Sequence, residues 1–250
     1  MPGHLLDHPI ISERYFFPRQ QPIANPFVVT TPGGELHCYR EAPHADAPTL
    51  LHFHGNGEVV DDWLADFSPS LIGAGFNVFF AEYRGYGGST GRPALAGMLD
   101  DAVAIADATG VDPSKLFVYG RSVGSIYALH VASERPVAGL IIESGIADVF
   151  QRLAIRMEPA ELGVGEGELN EAVAGALDHE AKMRGYAGPV LVLHARGDHL
   201  VPVDHATDLS AWAGERGRLV LFDQGDHNSI HYYNGGEILA AVAKFAGVGD

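Results

Sequence analysis

The sequence is poor in cysteine, in lysine and in positive charge generally. Cys38 is the only cysteine among 250 residues, so no internal disulfide framework can hold the fold. Lys115, Lys182 and Lys244 are the only lysines, and 16 Lys and Arg face 32 Asp and Glu, leaving a net charge of −16. A surface of that sign repels phosphate backbones and anionic bilayers, which argues against nucleic-acid and membrane partners. It also favours neutral substrates over polyanionic ones, unless the pocket departs from the surface average. Long apolar runs are missing too, since none approaches the ~18 residues that span a bilayer. The Met1–Pro9 start has neither a basic segment nor a long apolar one, which argues against a secretory signal and for a cytoplasmic protein. What is there is 46% apolar and 19% charged residues, a globular composition in a chain long enough for an ordinary core.

From about residue 49 onward, short apolar runs alternate with Ala-rich stretches of helical spacing. Leu50–His54, Val78–Ala81, Leu116–Tyr119, Leu140–Ile142, Val190–Leu193 and Leu219–Phe222 each read as a strand buried on both faces. Ala94–Thr109, Ser122–Ser133, Asp204–Ala213 and Gly236–Ala246 read as the helices that cover them. This alternation predicts an α/β fold with a mainly parallel sheet. Upstream, Arg14–Phe17, Phe27–Thr30 and Leu36–Arg40 are strand-like, with a turn at Pro32-Gly33-Gly34, and predict an antiparallel edge. One interval breaks the rhythm. Residues 146–188 contain no strand candidate, and Asn170-Glu171 can start a helix running to about Arg184. An excursion of that length exceeds a simple crossover, so it reads as a small cap inserted into a single domain over residues 1–250. An extended crossover without substrate contact is the plainer alternative.

The strongest chemical signal is Gly120-Arg121-Ser122-Val123-Gly124, placed directly between a predicted strand and a predicted helix. A serine on such a turn projects its hydroxyl above the sheet, and the flanking glycines let neighbouring backbone pass closely. The pattern alone is weak, because Gly87-Gly88-Ser89-Thr90-Gly91 fits it too. Ser89 lacks the strand-to-helix context and is followed by Arg92-Pro93, so Ser122 is the nucleophile candidate. A serine needs a base, and the base needs an orienting acid. Asp198 follows the strand at 190–193 and is the acid candidate, with Asp148 as competitor and Asp204 better suited to capping a helix. His227 follows the last strand and is the base candidate, with His231 as the alternative. Each of the three lies beyond the carboxyl end of a different strand, where a parallel sheet brings them together. An oxyanion would need preorganised N–H donors. Val123 supplies one directly after the serine, and Asn56 in His54-Gly55-Asn56-Gly57 is the second candidate.

Taken together, His54-Gly55-Asn56-Gly57, Tyr83-Arg84-Gly85-Tyr86-Gly87-Gly88-Ser89, Gly120–Gly124, Gly197-Asp198 with Val201-Pro202, and Asp226-His227-Asn228 resemble the α/β-hydrolase superfamily. Within it they look like the serine hydrolases of the BEM46 and ABHD13/ABHD17-like group. The resemblance covers roughly residues 27–247. It implies an eight-stranded, mostly parallel sheet and a Ser-His-Asp triad that cleaves acyl bonds of a small-molecule substrate, an ester first, a thioester or amide otherwise. It implies no cofactor and no metal. It leaves the oligomeric state open.

Other features point elsewhere only weakly. His52 and His54 alternate like a metal-ligand pair, but no Asp-His partner follows them. Gly85–Thr90 misses the dinucleotide pattern because Thr90 stands at the third glycine position. Cys38 lies in an edge strand with no base beside it and reads as a buried thiol. Arg84 is expected to tie loops near the site, and Trp63, Ile146, Phe150 and Met157 to line an acyl pocket or to be plain core.

Overall fold

The computed structural model describes residues 4–249, so Met1–Gly3 of the expected N-terminal segment lie outside the described residues. The strands are β1 (Phe27–Thr31), β2 (Gly34–Glu41), β3 (Thr49–Phe53), β4 (Asn77–Ala81), β5 (Leu116–Arg121), β6 (Gly139–Glu143), β7 (Val190–Ala195) and β8 (Gly217–Phe222). They form one sheet in the order β1-β2-β4-β3-β5-β6-β7-β8. β1 and β2 pair antiparallel and β2 meets β4 antiparallel, while β4, β3, β5, β6, β7 and β8 run parallel. The alternation of runs predicted the mainly parallel sheet, and its eight strands in this order are the α/β-hydrolase fold that the resemblance implied.

Side-chain alternation along the buried strands splits the core in two. Leu51, Phe53, Val118, Leu140, Ile142, Val190 and Val192 face one side, where they meet α3 (Gly97–Ala108), α4 (Gly124–Glu134) and α8 (Val203–Ala213). Leu50, Tyr119, Ile141, Leu191 and Leu193 face the other, against α2 (Phe67–Gly73) and α9 (Ile230–Ala246). Burial on both faces explains why β3 to β7 carry continuous apolar runs instead of a polar alternation. β8 departs from that expectation. It closes the sheet as an edge strand, and only Phe222 in it is fully buried.

The N-terminal segment also differs from its strand-like reading. Residues Pro9–Tyr15 form helix α1, started by Pro9 in its first turn and by the His8 imidazole accepting the Ile10 N–H. The aromatic run that suggested a strand is instead an anchor, because Tyr15 and Phe16 are both buried. Helix α2 escaped detection because Pro69 interrupts its pattern, although proline in a first turn costs no hydrogen bond. The 146–188 segment contains α5 (Val149–Ala154), α6 (Glu166–Leu177) and α7 (His179–Gly185), and no strand among the described residues. The single helix expected up to Arg184 is divided at Asp178, whose carboxylate accepts the Ala181 N–H and starts α7. Leu169, Val173, Leu177 and Met183 bury this insertion against the α3–α4 side of the core.

Topology decides where a site can form. The chain runs from β3 outward to β4 and then back across β3 to β5, so connections leave the adjacent strands β3 and β5 in opposite directions. The crevice beyond their carboxyl ends is the switch point at which open α/β sheets bind ligands.

Candidate active site

Ser122 stands in that crevice, on the turn between β5 and α4. Its φ of +53° is a left-handed conformation that non-glycine residues seldom adopt. Close packing enforces it. A Cβ at Gly124 would lie 2.1 Å from the Phe53 carbonyl oxygen, and one at Gly120 would lie 2.5 Å from that of Gly124. Only glycine lets α4 approach β3 and β5 this closely. Gly124→Ala is therefore expected to destabilise the protein by about 3 kcal/mol or more. Urea unfolding would register this as a lower midpoint, and an unchanged midpoint would refute the close-packing account.

The three residues singled out as nucleophile, acid and base meet at this turn. His227 Nε2 lies 2.9 Å from Ser122 Oγ, and His227 Nδ1 lies 2.7 Å from Asp198 Oδ2. The other carboxylate oxygen of Asp198 accepts the N–H groups of Leu200 and Val201 at 2.9 and 2.8 Å. Burial alone would push the Asp198 pKa up. The hydrogen bond and charge of His227 and the Val201 N–H outweigh it, so the carboxyl is held below its usual range. A carboxylate fixed from three sides orients the imidazole with its proton on Nδ1, leaving Nε2 free to accept from the serine. All three residues are buried, and Ser122 keeps 7% of its surface open to a cavity of about 260 Å³. Asn56, Val123, Ile146, Arg152 and Arg156 line the same cavity.

The loop after β3 is held rigidly. The His54 ring lies 2.7 Å from Glu82 and 2.8 Å from the Gly55 carbonyl, and the Tyr83 hydroxyl donates to the His54 carbonyl. Asn56 is pinned through its side chain, which accepts the Phe17 N–H and the Tyr86 hydroxyl and donates to the Tyr15 carbonyl. Its backbone N–H, like that of Val123, has no partner among the described residues. Two uncommitted N–H groups beside Ser122 are what an oxyanion requires.

A family model described as serine aminopeptidase S33 matches residues 44–162. The Escherichia coli K12 protein YfhR is 31% identical over 72% of this chain, and the match covers 62% of YfhR, so the chain spans about three fifths of that relative. The Mycobacterium tuberculosis H37Rv protein Rv2307c is 30% identical over 81% of this chain and 72% of its own length. Among solved structures, Est1E of Butyrivibrio proteoclasticus, crystallised with ferulic acid, superposes with a TM-score of 0.73 at 19% identity, over 88% of this chain and 97% of Est1E. The chain belongs to the α/β-hydrolase superfamily. The competing sequence candidates take other duties. Ser89 Oγ accepts the His37 N–H and braces β2. Asp148 caps α5 through the Gln151 N–H. Asp204, the expected cap of α8, lies instead in its first turn, two residues beyond the cap position, which Pro202 occupies. Arg84 ties to Asp101 and the Gly97 carbonyl of α3, while Tyr86 is the member of that turn that reaches the site.

Three charged residues that sequence patterns did not single out organise the floor of the candidate site. Arg121, next to Ser122, hydrogen-bonds Glu58 and the His227 carbonyl. It also lies 3.0 Å from Glu143 through Nε, a charge contact too misaligned to be a hydrogen bond. Glu143, fully buried at the end of β6, further accepts the Tyr119 hydroxyl and stands 2.8 Å from His231. Burial would raise its pKa, but His231, Arg121 and Tyr119 reverse that and hold it well below the carboxylate range. His231, the alternative base, thus serves Glu143 and not Ser122. The signal available in the sequence was the charge itself, an arginine and a glutamate at the ends of two strands that are otherwise apolar. His52 is buried among Trp63, Phe67, Phe80 and Tyr119. Of the expected pocket residues, Ile146 lines the cavity at Ser122 and Trp63 an adjoining one, whereas Met157 and Phe150 belong to the core.

Proposed function

We propose that this chain is a serine hydrolase of small carboxylic esters, of the BEM46 and ABHD13/ABHD17-like kind. The observation that carries the proposal is the continuous hydrogen-bonded series Asp198–His227–Ser122, opening into a cavity lined by Asn56 and Val123. In the reaction, His227 Nε2 takes the hydroxyl proton as Ser122 Oγ attacks the acyl carbonyl. The imidazolium that forms is stabilised by Asp198, and the Val123 and Asn56 N–H groups hold the developing oxyanion. His227 then returns the proton to the departing alcohol, and water, activated by the same imidazole, releases the acid from Ser122. No step calls on a cofactor or metal. The chain is taken as one catalytic domain with residues 146–188 as its cap, acting in the cytoplasm on a small molecule and not on nucleic acid or membrane.

A serine-directed fluorophosphonate probe tests the assignment. Ser122 is expected to carry the adduct, identified by peptide mass spectrometry, with Ser89 unlabelled. Absence of labelling on folded protein would leave a non-catalytic binding protein as the reading. The serine aminopeptidase description of the matching family favours a second reading, amide cleavage on the same triad. A matched ester, thioester and anilide panel separates the two, and anilide turnover exceeding ester turnover would replace the ester reading.

A further inference from the structure

The charge around the triad is opposite to that of the protein as a whole. Arg152 and Arg156, one turn apart at and just beyond the end of α5, line the cavity that holds Ser122 and His227. Both are partly buried, and neither has a carboxylate within ion-pair distance among the described residues. Arg156 lies 4.8 Å over the Phe17 ring and donates one long hydrogen bond, 3.5 Å, to the Arg14 carbonyl. Both guanidinium groups act on the buried Tyr15 hydroxyl, opposing the effect of its burial, which places them on one wall. Other cavity charges do not neutralise them. Glu58, the only carboxylate lining the cavity among the described residues, is committed to Arg121 and to the Gly55 N–H. Asp148, at the start of α5, is exposed and spent on its cap. A protein with twice as many acids as bases has thus kept two unpaired arginines at its reacting centre.

Planar guanidinium groups bind anionic oxygens in pairs, and partial burial strengthens such contacts. We infer that Arg152 and Arg156 form an anion subsite, and that the substrate is an ester bearing a second, anionic oxygen group, such as the free carboxylate of a dicarboxylic half-ester. This rests on the hydrolase reading and specifies its substrate. The expectation of neutral substrates from net charge fails here because the pocket departs from the surface average.

The test compares mono-p-nitrophenyl glutarate with neutral p-nitrophenyl valerate at fixed ionic strength. The wild-type protein is expected to favour the glutarate half-ester in kcat/KM by about tenfold, an advantage that shrinks as salt is raised. In R152Q/R156Q, kcat/KM for the half-ester should fall about tenfold further than for the neutral ester. Inhibition of valerate turnover by free glutarate and by inorganic phosphate identifies the anion, glutarate stronger for a carboxylate site and phosphate stronger for a phosphoryl one. Preference for the neutral ester, or a charge preference that persists in R152Q/R156Q, overturns the subsite. Should neither ester turn over, the hydrolase reading fails, and calorimetric titration with glutarate still decides the subsite. Binding by wild type and not by R152Q/R156Q upholds it, and no binding overturns it.

Discussion

Ser122→Ala is expected to lower kcat for p-nitrophenyl butyrate by roughly 10⁴-fold or more, with folding intact. The methyl group occupies the space of the Cβ, so the turn and its contacts persist while the attacking oxygen is gone. Asp198→Asn should cost about 10³–10⁴-fold by a different route. The amide can still accept from Leu200 and Val201, but it no longer fixes the His227 proton on Nδ1. The pair S122A/D198N should lose little beyond S122A alone, because a base without a nucleophile has nothing to activate. Stability moves the opposite way at this position. Ser122→Gly removes both the hydroxyl and the strain of a φ of +53°, and is expected to raise stability by about 1 kcal/mol while abolishing turnover. Initial rates and urea midpoints on the same preparations check both halves. Turnover of S122A within tenfold of wild type would eliminate Ser122 as nucleophile.

The meeting of Ser122, Asp198 and His227 was legible in the sequence because topology does the work of convergence. Each member follows a strand that reads clearly as apolar, and parallel strands deliver their carboxyl ends to one edge. Ser122 was separable from Ser89 only through that context, since both satisfy the same glycine spacing. Long-range pins were not legible. The contacts of Asn56 with Tyr15, Phe17 and Tyr86 join segments 30 to 41 residues apart, and no local pattern encodes them. The α1 segment reads as a strand because three consecutive aromatic residues look like one, whereas the burial of Tyr15 and Phe16 and the contact of Tyr15 with Asn56 are tertiary facts. β8 forms where it was expected and differs only in burial, since an edge strand packed on one side carries nearly the same residues as a central one. Arg121 and Glu143 sit in strands whose apolar neighbours dominated the reading, although a charge at a strand end beside a nucleophile is itself a clue to a buried ion network.

Acidification is expected to unfold this protein at moderately low pH, well before its carboxylates are fully protonated. Five histidines, four of them buried and His130 half-buried, are held neutral, each first of all by burial. His52 is pushed well below its usual value, His130 and His179 down to about 4, and His194 and His205 downward as well. Geometry agrees for two of them. His130 Nδ1 lies 3.1 Å from the Lys182 ammonium, and His205 Nδ1 accepts the Ala147 and Asp148 N–H groups at 3.1 and 3.3 Å, contacts only an unprotonated nitrogen can make. The unfolded chain therefore binds more protons than the folded one between about pH 6.5 and about pH 4, and stability falls as pH falls through that window. His179, wholly buried, accounts by itself for about 3 kcal/mol across it, a large part of the roughly 5–15 kcal/mol that holds a domain folded. His54, whose pKa is raised because Glu82 outweighs its burial, contributes fully below pH 6.5 and loses its contribution only on the alkaline side, so it does not offset this loss. Asp198 and Glu143, held low, add their own losses at more acidic pH still. Because His179 meets the Ile146 carbonyl and His205 the next two N–H groups, the root of the 146–188 insertion should loosen first. Urea midpoints measured at pH 7.5, 6 and 5 should fall steadily, and His179→Gln should reduce the proton uptake on unfolding by about one. Equal midpoints at pH 7.5 and 5 would show that these imidazoles charge freely in the folded protein.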